Sequence, residues 1–532
     1  MEWILSRDAS RIGFNRRASL ERRLLWITVA LNVAWRLVRY LLDFPIWGDE
    51  AMLAVNFIDR NGWQLLEPLD YVQVAPVGFL WVEWLITRLL GVNGFALRLF
   101  PLISGVLAVF LLVRLMKLCL SRRETLLGMG LFCASYYPVR HGVEIKPYSI
   151  DLLMSIVQLL LAVRLRSRMG SWKLWSLFAI CGSASLWLSY PAAFVAGGLT
   201  LSFAFAAWKS KISWVFPVWF LTGLLLTINL ATTVMLFAEA QANSASEFVD
   251  STMWNIAFPP VDKPWEIPGW LIRIHTGRML AYPAGGKNYA STATFLLVIA
   301  GVLTLVRRSR SSRQTSIMLL SIPGLALIAA ALKKYPYGGS VRTTLYLAPV
   351  ICVFAAVGLR GLIAASNRPR KFRRGLLITV FLLMAVQIGG IVRDVLHPFK
   401  TEGDRKNRLL INRLIQQTDP QGDVWVLGNS VVGWPDRPGT LPGPGLTVAA
   451  FGFYARTGAP VPVVPGDLER VKRLDRHGLI RILIHDTRNN PLPVEPLNRL
   501  INSFRAEYGS SREEDWPIDK EEFLRVVTFR RD

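Results

Sequence analysis

Long apolar stretches separated by short polar loops extend from residue 24 to about residue 398. A run can form a transmembrane helix when it is long enough to cross about 30 Å of hydrocarbon. Such runs lie near residues 24–42, 97–117, 125–139, 148–163, 174–190, 191–208, 214–237, 291–306, 314–332, 343–363 and 375–393. The pattern predicts an all-α polytopic membrane protein with about eleven transmembrane helices.

The apolar run at residues 75–90 differs from the others, because it is short and contains Glu83 and Arg88. If it crossed the membrane, the basic loops at 117–123 and 164–173 would both face outward. If it lies flat on the outer surface, all the basic loops face the cytoplasm, as the positive-inside rule requires. We therefore predict an interfacial amphipathic helix.

The basic loops also orient the rest of the chain. The basic N-terminal segment 1–23 is predicted to be cytoplasmic, and the next span is a retained helix because it is too long for a signal-peptide core. Residues 24–398 form the predicted membrane module. Its outer loops are expected at residues 43–96, 140–147, 238–290 and 333–342.

The tail has another pattern. Three strand-like runs, GDVWVLG, LIRILIHD and FLRVVTF, alternate with amphipathic helical segments. This alternation is typical of a soluble α/β domain, and the topology places residues 399–532 outside the cytoplasm. We expect a polar hinge at residues 397–407 to join the domain to the membrane module, and a Pro/Gly-rich loop at 434–445 to interrupt it.

Composition agrees with a membrane protein. Hydrophobic residues make up 52% of the 532 positions and charged residues 18%, with a mean hydropathy of +0.35. The net charge of +24 could suggest nucleic acid as a partner. However, Lys and Arg fall in short clusters between apolar runs, so the predicted partner is the lipid bilayer and not nucleic acid. The four cysteines lie in or beside apolar runs, which indicates neither a disulfide framework nor a CxxC metal site.

Ionisable residues on the predicted outer face are concentrated in three places. The first is the adjacent pair Asp49 and Glu50 at the end of the first span. The second is RHGVEIKPYSID at 140–151, and the third is KKYPYGGSVR at 333–342. A carboxylate beside the bilayer can take a proton from an acceptor hydroxyl. Arg or Lys beside Tyr hydroxyls can hold a lipid phosphate.

The order of these motifs resembles that of a known family. The motifs are DEA at 49–51, APVGFLWVEWL at 75–85, Arg-Leu-Phe-Pro at 98–101, E-x-K-P-Y at 144–148 and Y-G-G-x-x-R-x-x-L-Y-x-x-P at 337–349. The series is similar to that of the GT-C glycosyltransferases, and most of all to the protein mannosyltransferase and aminoarabinose transferase group (glycosyltransferase family 39-like) of bacterial membrane enzymes. The likeness covers about residues 24–165 and 335–360 and is absent from the tail.

The resemblance implies a GT-C-like helical bundle with outer interfacial helices and a polyprenyl-phosphate sugar as donor. It implies that Asp49 is the catalytic base, with Glu50 as its catalytic neighbour. The expected enzyme is an inverting glycosyltransferase in the bacterial inner (plasma) membrane, which transfers the sugar to an acceptor hydroxyl of a glycan, lipid or protein on the outer face. The residues expected to bind the lipid phosphate or the sugar are Glu144, Lys146, Tyr148, Tyr337, Arg342 and Arg98.

Ordinary roles are open for the same residues. Acidic residues are common in wet outer loops, and Lys146 or Arg342 could be anchors that snorkel to lipid headgroups. Glu144 and Asp151 could pair with Arg140 or Lys146 in a structural network. Arg36 and Arg39, which share one face of the first span, are expected to point into the bundle.

The alternative function is a membrane transporter or flippase of an anionic or lipid-linked substrate. Such a protein would be expected to show internal repeats and a central polar pathway. The sequence shows no such repeat. Its polar residues are concentrated on one predicted face and do not form a central pathway. No cofactor is predicted, and a divalent metal is left open.

Overall fold

A computed structural model of the chain consists of a helical bundle and a C-terminal α/β domain. The residues that it describes are 2–46, 48–238, 241, 256–286, 289–364, 368–428, 443–458, 462–465, 468–474, 478–487, 494–517 and 522–530.

The helices of the bundle are α1 (Glu2–Leu41), α2 (Gly48–Ala54), α3 (Asn56–Asp59), α4 (Val77–Leu90), α5 (Gly94–Cys119), α6 (Arg122–Cys133), α7 (Tyr136–Arg140), α8 (Tyr148–Ser167), α9 (Trp172–Leu188), α10 (Ala192–Trp208), α11 (Val215–Thr233), α12 (Ile267–Thr276), α13 (Thr292–Arg308), α14 (Arg310–Ala331), α15 (Ala348–Ala364) and α16 (Pro369–Leu396). A π-helical turn, Val234–Ala238, extends α11. Short 3-10 turns lie at Gln64–Leu66, Asp70–Val72, His141–Val143, Pro264–Glu266 and Arg342–Leu347.

Every predicted span corresponds to helix in the structure. Among the described residues, seven helical segments are long and apolar enough to cross a membrane: Ser19–Leu41, Gly94–Cys119, Tyr148–Ser167, Val215–Phe237, Arg310–Ala331, Arg342–Ala364 and Pro369–Leu396. The other four predicted spans contain α6, α9, α10 and α13, which have 12 to 17 residues. The polytopic helical class is confirmed, and the number of crossings stays a prediction.

The predicted span at 125–139 is wrong as a single helix. Helix α6 ends at Cys133, and the separate short helix α7 begins at Tyr136. Pro138 explains the break, because a proline has no amide hydrogen to donate and its ring clashes with the carbonyl four residues earlier, here that of Ala134. The hydrophobic pattern is continuous from 125 to 139, but the helical backbone is interrupted between Cys133 and Tyr136.

Helix α4 occupies the segment predicted to be interfacial. Its 14 residues give a length of about 21 Å, which is less than the hydrocarbon thickness. Glu83 on this helix is fully buried, and neither of its carboxylate oxygens has a hydrogen-bond partner within the described part of the chain. Burial raises the pKa of Glu83 well above its usual value, which favours the neutral acid.

Close packing holds the bundle together. One hydrophobic cluster includes Leu112 of α5, Ile156 of α8, Leu199 of α10 and Phe354 of α15. Helices α13 and α15 approach until their backbones touch, since a Cβ at Gly358 would collide with the backbone carbonyl of Leu297. A side chain at this position would separate the two helices.

The C-terminal domain contains a five-stranded sheet with the strand order β2-β1-β3-β5-β4. Its strands are β1 (Val424–Leu427), β2 (Val463–Pro465), β3 (Leu479–Thr487), β4 (Arg512–Pro517) and β5 (Glu522–Arg530), and its helices are α17 (Glu402–Gln416), α18 (Gly443–Gly458), α19 (Leu468–Lys472) and α20 (Val494–Tyr508). Strand β1 is parallel to both β2 and β3, while β5 is antiparallel to β3 and β4. The α/β class of the tail is therefore confirmed.

Details of the tail differ from the expectation. The three predicted strands are β1, β3 and β5, whereas β2 and β4 follow no hydrophobic pattern, because β2 has three residues and β4 is mostly polar. Most of the predicted Pro/Gly-rich loop lies outside the described residues, and its last residues begin α18. The expected hinge is largely helical, since α17 starts at Glu402 with a capping box formed by Thr401 and Asp404.

The domain shares a hydrophobic core with the first predicted outer loop. A single cluster contains Ile46 and Phe79 from that region together with Trp425 and Phe451 from the domain. The backbone amide of Ile46 also donates a hydrogen bond to the hydroxyl of Tyr454 at 2.7 Å. The domain is thus packed against the end of the bundle that carries Asp49, and is not a freely tethered unit.

The contact at Gly358 gives a first prediction. We expect Gly358→Ala to lower the thermal unfolding midpoint in detergent, because the added methyl overpacks the α13–α15 contact, at a cost of about 1–3 kcal/mol. Gly361→Ala is the matched control on the same helix, since nothing lies within 4 Å of its Cβ position. Equal midpoints for the two variants would contradict the backbone contact.

Candidate functional site

Helix α2 places the two adjacent acids. Asp49 and Glu50 occupy its first turn. Successive residues of a helix point about 100° apart, so the two carboxylates reach different partners. Asp49 faces the segment before α15, and Glu50 faces the start of α5.

Asp49 is held between two cations. Its Oδ1 lies 3.1 Å from Nζ of Lys146, and its Oδ2 accepts a hydrogen bond from Nη1 of Arg342 at 2.6 Å. Burial by itself would raise the pKa of Asp49, but Lys146 and Arg342 outweigh it and lower the pKa below the usual range. The carboxylate is therefore fully ionised at neutral pH.

Glu50 is enclosed by donors. Nε and Nη2 of Arg98 donate to its two oxygens at 3.2 Å each, and Nζ of Lys400 donates to Oε2 at 2.6 Å. The backbone amide of Ile145 adds a bond at 3.1 Å. Burial opposes ionisation, but Arg98 and Lys400 lower the pKa of Glu50 to about 2.

Glu144 joins the same buried network. Its Oε1 lies 3.0 Å from Nζ of Lys400 and 3.3 Å from Nε of Arg140. Its Oε2 lies 2.7 Å from Nδ1 of His141. Burial lowers the pKa of His141, so the imidazole is neutral and donates this bond. Lys400 thus bridges Glu50 and Glu144.

The two groups of acids differ in exposure. The side chain of Asp49 is 19% exposed and that of Arg342 is also 19% exposed, whereas Glu50 and Lys400 are exposed by only 1% and 3%. A substrate can therefore reach Asp49 without disturbing the Glu50 network. Asp49 is thus open to solvent, whereas Glu50 is enclosed by protein.

The segment between α7 and α8 supplies residues to both groups. Gly142 makes this possible, because a Cβ there would collide with the guanidinium of Arg36 in α1. With the backbone held against α1, Ile145 presents its amide to Glu50 and Lys146 points to Asp49. The local sequence E-x-K-P thus reaches the two neighbouring acids in turn.

Two of the other predicted residues belong to this cluster. Tyr148, at the start of α8, packs edge-on against His141 with ring centroids 5.6 Å apart, and it lies within electrostatic range of Arg342. Arg98 is buried behind Glu50, and its third nitrogen donates to the carbonyl of Phe44 at 2.8 Å. The donors of Arg98 are thus directed at the protein, which indicates a supporting role.

Tyr337 has its contacts elsewhere. Its hydroxyl lies 3.1 Å from Nε2 of His275, and its ring packs 6.2 Å from that of Trp270. Neither partner belongs to the group around Asp49. The expectation that Tyr337 contacts the donor stays a prediction.

The alternative that Asp151 pairs with Arg140 or Lys146 is wrong. Asp151 makes no ion pair with any described residue, and it is buried on α8 beside the hydroxyl of Ser189. The reason is geometric, since α8 carries Asp151 about one turn beyond the segment that holds those cations. Glu144 takes Arg140 instead, as the alternative allowed.

Arg36 and Arg39 point into the bundle as expected, with exposed fractions of 0% and 4%. Nη1 of Arg39 donates to Asp394 of α16 at 2.8 Å, and the indole of Trp35 donates to the same carboxylate at 2.8 Å. Nε of Arg36 donates to Asn32 at 3.1 Å. The contacts of Arg39 therefore join α1 to α16.

Two members of the site were missed in the sequence. Lys400 lies in the expected hinge, where a single lysine gives no signal for a partner 350 positions away. Gln73, just before α4, accepts a bond from Nζ of Lys146 at 2.5 Å. The only signal in the sequence for a role of Gln73 was its position just before the proline-initiated helix α4.

The geometry joins two chemical abilities. Asp49 offers a carboxylate that can accept a proton, and Lys146 and Arg342 offer cations that can hold an anion beside it. In the parts of the chain that are described, no three His, Cys, Asp or Glu side chains are placed to bind a metal ion.

Comparisons with known proteins bear on the fold of the chain. A family model described as dolichyl-phosphate-mannose-protein mannosyltransferase matches residues 74–237. The structure is similar to ArnT from Cupriavidus metallidurans bound to undecaprenyl phosphate, with 12% identity, a TM-score of 0.51, and coverage of 94% of this chain and 97% of that one. A lower TM-score of 0.44, with 13% identity and coverage of 83% and 62%, relates it to an oligosaccharyltransferase from Archaeoglobus fulgidus in complex with zinc and sulfate. No curated protein sequence matches the chain significantly.

The match of the family model and the likeness to ArnT confirm the resemblance expected from the motifs. The chain has the fold of the GT-C glycosyltransferases. The family model covers α4 to α11 and leaves out Asp49 and Arg342, so the roles of these residues depend on the geometry described above.

The bridge made by Lys400 can be tested. We expect Lys400→Met to lower the unfolding midpoint, because Glu50 and Glu144 would each lose a buried charged donor, at a cost on the order of 3–5 kcal/mol. The linker before α17 should also become more sensitive to protease. Lys406→Met is the control, since Lys406 is exposed on α17. Identical stability and digestion of the two variants would contradict the bridge.

Proposed function

We propose that the protein is a membrane glycosyltransferase that transfers a sugar from a polyprenyl-phosphate donor to an acceptor hydroxyl. In this proposal Asp49 is the general base, and Lys146 and Arg342 bind the donor phosphate. The observation that carries it is the placement of one partly exposed carboxylate between two cations. ArnT, which has a similar fold, binds undecaprenyl phosphate, and this supports a lipid-linked donor.

The resting site holds Asp49 in a weakly basic state, since Lys146 and Arg342 lower its pKa. A bound donor phosphate competes for the same two cations. As they turn toward the phosphate, the pKa of Asp49 rises toward its ordinary value. The carboxylate thus becomes a stronger base when the donor is present, which limits proton removal to the loaded site.

The reaction is a single displacement. The acceptor oxygen attacks the anomeric carbon on the side opposite the phosphate and forms the new C–O bond. The bond from the anomeric carbon to the phosphate oxygen breaks, its electron pair leaves with polyprenyl phosphate, and the acceptor proton passes to Asp49. One displacement inverts the configuration at the anomeric carbon.

The cations act on the leaving group. The phosphate of the donor carries one negative charge and gains a second as the bond to the sugar breaks. Lys146 and Arg342 therefore stabilise the transition state more than the bound donor, which is the condition for a rate increase. Arg342 can also bind two phosphate oxygens through parallel hydrogen bonds.

The base is tested by Asp49→Asn. The amide keeps the shape of the side chain but accepts no proton, so turnover should fall by at least about a hundredfold. Binding of polyprenyl phosphate should be unchanged or tighter, because the uncharged amide competes less for Lys146 and Arg342. The measurement is release of polyprenyl phosphate from a panel of polyprenyl-phosphate sugars by the purified protein.

Two controls separate catalysis from structure. Asp262→Asn changes an exposed acid in another predicted outer loop and should leave turnover intact. Glu50→Gln should lower the unfolding midpoint along with activity, because Arg98 and Lys400 lose their charged partner. Near wild-type turnover by Asp49→Asn would exclude Asp49 as the base and make Glu144 the next candidate.

The phosphate ligands are tested without any sugar. Lys146→Gln and Arg342→Gln should each weaken binding of polyprenyl phosphate, whereas removal of a simple membrane anchor would change insertion or stability and leave this affinity alone. Arg342→Lys should also bind more weakly, since Lys provides only a compact charge. Lys334→Gln, an exposed lysine of the same outer loop, is the control. Unchanged affinity in all three site variants would move the phosphate site elsewhere.

A further inference from the structure

A cavity of about 350 Å³ lies at the other end of the bundle from Asp49. It is formed by Leu20 and Glu21 of α1, Arg123 of α6, the last turn of α15 and the first turns of α16. None of its lining residues belongs to the site described above.

Two helices fix its distance from that site. From Glu21 to the end of α1 at Leu41 the helix rises about 30 Å, and α1 then leads directly to α2. Along α16, the rise from Arg373 to Asp394, which contacts Arg39 near the other end of α1, is also about 30 Å. The cavity is therefore about one hydrocarbon thickness from Asp49, at the end predicted to face the cytoplasm.

The lining is strongly basic. It contains four arginines, Arg123, Arg360, Arg368 and Arg373, and one acid, Glu21. Arg123 pairs with Glu21 at 2.9 Å, and Arg360 pairs with Glu124 at 2.9 Å.

The other two arginines are uncommitted. In the described portion of the chain, neither Arg368 nor Arg373 has a carboxylate oxygen within 4 Å, the distance that defines an ion pair. Two guanidinium groups thus remain available to an anion at the mouth of the cavity.

The same cavity has an apolar wall. Leu20, Phe372, Leu376 and Leu377 line it beside the arginines, and the guanidinium of Arg123 lies 5.1 Å from the centre of the Phe372 ring. A small hydrophilic anion would leave these side chains without a partner. A ligand with a phosphate head and a hydrocarbon chain would satisfy both parts of the surface.

We propose that this cavity binds the phosphate headgroup of an anionic phospholipid of the inner leaflet, with Arg368 and Arg373 on the phosphate and an acyl chain along Leu20 and Leu377. A basic pocket between helices at the membrane boundary is well suited to such lipids, because fixed arginines attract a charged phosphodiester while neighbouring apolar side chains accept the chain. The site is separate from the donor site and independent of the proposed transfer reaction.

The experiment uses the full-length protein in a neutral detergent. Native mass spectrometry compares retention of phosphatidylglycerol with that of phosphatidylcholine, and thermal unfolding compares phosphatidylglycerol with soluble glycerol 3-phosphate. We expect phosphatidylglycerol alone to be retained and to raise the unfolding midpoint. The double variant Arg368→Gln/Arg373→Gln should weaken its binding by about tenfold or more.

Two further variants make the result specific. Arg370→Gln/Arg374→Gln removes the same charge from exposed positions of the same helix that do not line the cavity, and it should bind phosphatidylglycerol normally. Ala364→Phe fills the cavity without any change in charge and should weaken binding.

Several results would overturn the proposal. They are equal losses in the two double variants, unchanged affinity in Ala364→Phe, and equal retention of phosphatidylcholine. Stabilisation by glycerol 3-phosphate equal to that by phosphatidylglycerol would show a site for soluble anions instead of a lipid site.

Discussion

Pairing of acids that are withdrawn from water is the constraint on which the rest of this structure depends. An isolated charge in a dry interior costs several kcal/mol, and removal of one partner from a buried pair costs about 3–5 kcal/mol. Glu50 and Glu144 meet this requirement by pairing with cations from α5, from the last residue of α7 and from the linker after α16. Because these partners are far apart in the chain, their pairing fixes the first outer loop, the bundle and the C-terminal domain relative to one another.

The same physics distinguishes the surroundings of the two adjacent acids. Glu50 has its hydrogen-bonding capacity filled by Arg98, Lys400 and a backbone amide, so its pKa and its position are fixed. Asp49 has two cations on an accessible side, and these can be shared with an incoming anion. In the proposed reaction, the buried network around Glu50 would maintain the geometry of the site. Lys146 and Arg342 could then move from Asp49 to the donor phosphate without disturbing that network.

Sequence patterns predicted what depends on local chemistry. Apolar runs located the helices, and the clustering of ionisable residues on one predicted face brought together Asp49 and Arg342, which are 293 positions apart. The pattern could not show that Lys400 enters the same network, because the sequence of a polar linker does not show which of its lysines is buried. Strand β4, with the sequence REEDWP, was missed because an edge strand with mostly exposed side chains has no hydrophobic alternation. Pro138 is present in the sequence, but the continuous apolar run around it favoured the prediction of one unbroken span.

The two ends of the bundle use arginine in opposite ways. Near Asp49 the described site cations are matched with carboxylates, so the cluster can be buried and ordered without a bound ligand. At the other end, the arginines at the start of α16 exceed the acids around them. Unmatched charge is tolerated there because these arginine side chains are exposed, so that their guanidinium groups lose little of their hydration. A positive charge in excess at the start of α16 is thus compatible with a precisely paired site, because these arginines lie at the other end of the bundle from the proposed base.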